Sequence, residues 1–200
     1  MQIIVEPCSV EDEVKRSRFV AHALPVQSPE EAVALLGEVR DPRATHNTWA
    51  YKVGDAYRFS DDGEPGGTAG RPILAAIEQV GVDRVLVVVT RYFGGIKLGS
   101  GGLVRAYGGC AARCLREARK VTLAPHVLLE VHVPFDLLGA AYHAAERNGA
   151  AKESERYTES GATLTFCVDS SREGAVTLAL RDASSGKLVV ARRQEVLRPV

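Results

Sequence analysis

Three carboxylates, Asp61, Asp62 and Glu64, fall within four positions of a turn-rich stretch, SDDGEPGGTAGRP. Like charges this close repel unless a cation, a metal or a cluster of amides balances them. One chemistry open to them is magnesium binding, since that ion prefers hard oxygen ligands. His46, in ATHNTWAY, would then act as base in hydrolysis of a phosphorylated small molecule. The other reading is structural: Asp61 and Asp62 bond loop amides, Glu64 caps a helix start, and Arg71 or Arg91 supplies the countercharge.

A second constellation is RYFGGIKLGSGGLVRAYGG, residues 91–109, directly after the apolar run VLVVVT. Glycine lets backbone N–H groups converge on an anion, and a helix starting near Ser100 would add unpaired amides and a positive dipole end. Gly94, Gly95, Gly99, Ser100, Gly101 and Gly102 are the candidate backbone, with Arg91, Lys97 and Arg105 as candidate countercharges for a phosphate or nucleic acid. The alternative is that the glycines serve a sharp turn and close helix–strand packing. The stretch is not a Walker loop, because Ser100 rather than Lys follows Gly99, and Val104 breaks the dinucleotide pattern begun at Gly99 and Gly101.

Charge distribution favours the anion reading. Residues 1–83 hold 8 Lys and Arg against 14 Asp and Glu, a net −6; residues 84–120 hold 8 against 1, a net +7; the remainder hold 9 against 10, a net −1. The net charge of zero therefore hides a basic segment suited to an anionic partner. No serine elbow occurs and none of the four cysteines has a nucleophile or zinc spacing, so the cysteines read as reduced buried thiols, and the chain leans toward a binding protein with enzyme activity left open. No apolar run approaches a membrane span and no secretion signal opens the chain, so a cytoplasmic protein is expected.

These residues need elements to hold them. The first 26 residues read as two strands, followed by a helix from Ser28, with Pro29 at its first position and Val33, Leu36 and Val39 as its buried stripe. NTWAYKVG and AYRFS form a hairpin about Gly54-Asp55, a helix runs from about Arg71 to Gly81, and DRVLVVVT is a strand buried on both faces. A helix from Ser100 to about Lys120 places Leu103, Tyr107, Cys110 and Cys114 on one face. Beyond Pro125 the order β-α-β-β-α-β reads as a ferredoxin-like module. The fold class is α+β in two domains, 1–125 and 126–200.

FSDDGEPGGTAGRPIL, VVVTRYFGGIKLGSGGLVRAYG and ATHNTWAY resemble the IMPACT family, in particular its bacterial YigZ-type members, over essentially the whole chain. The resemblance implies that the first domain is a β-α-β sandwich of the type seen in a ribosomal protein and in domain IV of elongation factor G. It implies that the second is like domain V of that factor. Eukaryotic relatives regulate a translation kinase through an added N-terminal module, which this chain is expected to lack. Thr48 stands where relatives often carry cysteine, against a thiol-dependent role there. The function expected is nucleic-acid or ribosome-associated binding in the regulation of translation. A metal-dependent hydrolase and a protein–protein adaptor, the latter using the basic helix, are the alternatives.

Overall fold

Residues 1–199 are described by the computed structural model, a mixed α+β fold. The chain divides into two units, Met1–Thr122 and Leu123–Val200. The first opens with β1 (Gln2–Ile4), β2 (Cys8–Val14), β3 (Ser17–Pro25) and α1 (Pro29–Val39). It continues through β4 (His46–Val53), β5 (Ala56–Ser60), α2 (Gly70–Val80), β6 (Val82–Asp83), β7 (Val85–Tyr92), α3 (Ser100–Glu117) and the first residues of β8 (Lys120–Pro134).

Three strands, not the expected two, fill the N-terminal segment. Pro7 separates β1 from β2, and Lys15 and Arg16 turn the chain back with φ of 47° and 64°. The main sheet is antiparallel in the order β2-β3-β7-β4-β5. Its centre is β7, whose residues 85–91 are all buried because helices cover both faces. Val85, Val87 and Val89 pack with Ile73 and Ile77 of α2 and Tyr107, Cys110 and Cys114 of α3. Leu86 and Val88 pack with Ala32 and Leu36 of α1.

Ser28 caps α1 by accepting from the Glu31 amide at 3.2 Å, while the Glu31 carboxylate accepts from the Gln27 amide at 2.6 Å. Its buried stripe differs from the expected one: Ala32 and Leu36, one turn apart, face the core, whereas Val33 is 51% exposed. Helix α3 ends at Glu117 rather than Lys120. The Lys120 ammonium instead donates to the carbonyls of Leu115, Arg116 and Ala118 and closes the helix end.

The second unit continues β8 from Leu123 and adds α4 (Leu138–Arg147), β9 (Ala151–Thr158), β10 (Gly161–Asp169), α5 (Glu173–Ala183) and β11 (Val190–Pro199). Its sheet is antiparallel in the order β9-β10-β8-β11. Alternate residues of β8, Val127, Leu129, Val131 and Val133, and of β10, Leu164 and Phe166, pack with Ala141, Ala145, Val176 and Leu180 of the helices.

Candidate anion-binding site

The three clustered carboxylates do not converge. Asp61 accepts from the amides of Gly67 at 2.8 Å and of Ala69 and Gly70 at 2.9 Å, so it, rather than Glu64, holds the start of α2. Burial alone would raise the Asp61 carboxyl, but those amides hold it below its ordinary range. Asp62, at φ 40°, takes the Arg40 guanidinium and the Asn47 amide, each at 2.6 Å. Among the described residues no three His, Cys, Asp or Glu side chains are grouped as a metal would require. The magnesium reading therefore has no ligand set: each carboxylate is committed to a different partner.

Glu64 turns the other way, into the fold. Its Oε1 accepts from the Arg91 guanidinium at 2.6 Å and from the Tyr107 hydroxyl at 2.7 Å, and the Arg91 and Glu64 side chains are only 6% and 4% exposed. Burial first, then the bond to this carboxylate, push the Tyr107 hydroxyl well above its ordinary range, so it remains a donor. Arg91 also donates to Ser17 Oγ at 3.3 Å, and its guanidinium lies 5.5 Å from the Phe19 and 5.4 Å from the Phe93 ring centre. The expected free countercharge at position 91 is thus an internal ion pair, formed because an arginine on a strand covered on both faces is nearly buried and needs a carboxylate beside it.

His46 joins the two constellations. Its Nδ1 lies 2.8 Å from the Asp62 carbonyl oxygen, which can only accept, so Nδ1 carries a proton. Nε2 is directed toward Glu64 Oε1, 3.8 Å away. These groups line a depression of about 450 Å³ whose opposite wall is the passage from β7 to α3: Phe93, Lys97, Leu98, Gly99 and Ser100. Gly99 precedes α3 at φ 74°, and no side chain caps that helix. The amides of its first turn have no carbonyl four residues earlier within the helix.

Sequence-selected residues therefore separate into groups. His46, Glu64, Arg91, Lys97, Gly99 and Ser100 share the depression, and Gly101 and Gly102 lie in the first turn of α3. The Gly94 amide is not available, since it donates to Ser17 Oγ at 3.2 Å, and neither Gly94 nor Gly95 lines the depression. Arg105 borders a neighbouring hollow of about 200 Å³ together with Lys15, and Leu98 contributes to both hollows. Lys15, Lys97 and Arg105 make no ion pair among the described residues, whereas Arg113 of the same helix pairs with Asp12 and Glu117. Sequence reading missed Lys15, which sits in an acidic segment far ahead of Lys97 and reaches this surface only through the β2–β3 turn. It also placed Tyr107 in the core without seeing that a fully buried hydroxyl needs an acceptor.

The Impact N-terminal domain family matches residues 15–115. An IMPACT family member of Thermus thermophilus is 49% identical over 178 residues, covering 88% of this chain and 98% of the relative. The IMPACT family member YigZ of Escherichia coli is 43% identical over 132 residues, 61% of this chain and 65% of YigZ. A crystal structure of a hypothetical protein aligns with a TM-score of 0.61 at 32% identity, over 96% of this chain and 97% of that one.

Proposed function

The chain belongs to the IMPACT family, and from that premise we propose that it binds RNA through phosphate groups received at the start of α3, in a role in the regulation of translation. One observation carries the reading. An uncapped helix start opens into a depression beside Lys97, with Lys15 and Arg105 at the adjoining hollow and no acidic partner on any of the three among the described residues. Unpaired amides and mobile cations together attract phosphate irrespective of base. The first unit then serves as the sandwich of the ribosomal-protein and elongation factor G domain IV type. The second serves as the ferredoxin-like module related to domain V, a reading supported by its β-α-β-β-α-β order.

The test is the salt dependence of binding to a labelled single-stranded RNA. Lys15, Lys97 and Arg105, replaced together by Ala, should flatten the slope of log K against log salt by about 2. Arg91 is left intact, because its removal would strand Glu64 inside the fold. An unchanged slope would rule this surface out, and a partner retained from lysate after nuclease digestion would favour the adaptor reading instead.

A further inference from the structure

The depression presents acceptors as well as donors, and the mixture narrows what it can hold. The neighbours of the buried Glu64 carboxylate, Arg91, Tyr107 and His46, all lie against Oε1. Oε2 has no partner among the described residues, and Glu64 lines the depression. A carboxylate oxygen only accepts, so Oε2 requires a donor from outside the chain. With Nδ1 donating to the Asp62 carbonyl, the His46 ring turns Nε2 toward Glu64. At 3.8 Å, Nε2 and Oε1 are too far apart to bond directly. A carboxylate and an imidazole thus line the depression opposite a wall of anion-receiving groups.

We propose that this depression holds a terminal ribonucleotide, its phosphate at Ser100 and Lys97 and its vicinal 2′- and 3′-hydroxyls bonded one to Glu64 Oε2, as donor, and the other to His46 Nε2. The proposal rests on the reading of the α3 start as a phosphate receiver and adds the sugar. A ribose with both hydroxyls free offers two groups on adjacent carbons that can each donate or accept, matching the carboxylate oxygen and the ring nitrogen beside it, and a deoxyribose offers one fewer. The volume of about 450 Å³ lies in the range of small-molecule sites. Phe93, half exposed at the rim, offers a face on which any base can stack. Two sources supply this chemistry: a free nucleoside 5′-monophosphate, or the 3′-terminal nucleotide of an RNA, whose last phosphodiester replaces the monophosphate.

Calorimetric titration of the full chain distinguishes them, with adenosine 5′-monophosphate, its 2′-deoxy counterpart, and a short RNA ending in either a 3′-hydroxyl or a 3′-phosphate. The 2′-deoxy nucleotide should bind about tenfold more weakly than the ribonucleotide, and the 3′-phosphate RNA about tenfold more weakly than the 3′-hydroxyl RNA. Ser100→Glu, on the exposed helix start, should abolish mononucleotide binding with an unchanged melting temperature. Glu64→Gln should erase the ribose preference if melting shows it folded; the ligand comparison decides the matter if it does not. Mononucleotide binding without RNA binding upholds the inference with the free nucleotide as ligand and removes the polynucleotide reading. RNA binding that ignores the 3′ end, without mononucleotide binding, overturns the inference and leaves RNA binding standing. Equal affinity for ribo and deoxy forms also overturns it, and no binding of any probe overturns both.

Discussion

Tyr107 donates its hydroxyl to the same Glu64 oxygen that receives the Arg91 guanidinium, at 2.7 and 2.6 Å, so a helix, a loop and the central strand meet at one atom. The three residues come from positions far apart in the chain. Their joint burial holds Glu64 and Arg91 in place where they line the depression.

Removing one member should have unequal consequences. Tyr107→Phe deletes one bond and leaves the ion pair, costing about 1–2 kcal/mol in urea denaturation. Arg91→Ala leaves a buried carboxylate uncompensated and should cost about 3–5 kcal/mol. Replacing Arg91 and Glu64 together, as Arg91→Met with Glu64→Leu, should recover much of that loss.

Asp61 predicts a pH dependence. Its folded carboxyl is held below the ordinary range, so the stabilisation it provides is present above the unfolded value and is lost as pH falls through the folded one. Asp61→Asn should therefore cost about 1–2 kcal/mol near neutrality. The gap from the parent chain should close as pH drops below about 4, as thermal melts across acid pH would record.

Gly94 and Gly95 should separate two uses of glycine. A Cβ on Gly94 would overlap the backbone carbonyl of Arg16, forcing β3 and the end of β7 apart, whereas one on Gly95 meets nothing but sits at φ 84°. Gly95→Ala should cost about 1 kcal/mol for the left-handed backbone. Gly94→Ala should cost more and lower the melting temperature further, because backbone cannot move aside as a side chain can.

Thiol titration checks the core. Burial pushes the Cys110 and Cys114 thiols up to about 12, and Cys167 is also buried, leaving half-buried Cys8 the most accessible. Ellman's reagent should modify Cys8 first in the native chain, and all four thiols after unfolding. Rapid modification of Cys110 or Cys114 without unfolding would contradict this packing of α3.

What the sequence by itself determined was local. The Ser28-Pro29-Glu31 helix start, the all-apolar β7 and the turn from β7 to α3 around its glycines follow from short-range sterics, capping and hydrophobic pattern, which act over a few residues. The family motifs could be read there as well. Which charges are free and which are spent was decided only by the tertiary structure. Arg91 and Lys97 stand six positions apart and look alike as cations, but the first lies on a strand covered on both faces and must pair internally, while the second lies on an exposed loop. Lys15 comes to Arg105 only because β2 and β3 fold against β7 and α3. Electrostatic partners are set by distance through space and by burial, and neither is written in the spacing of residues along the chain.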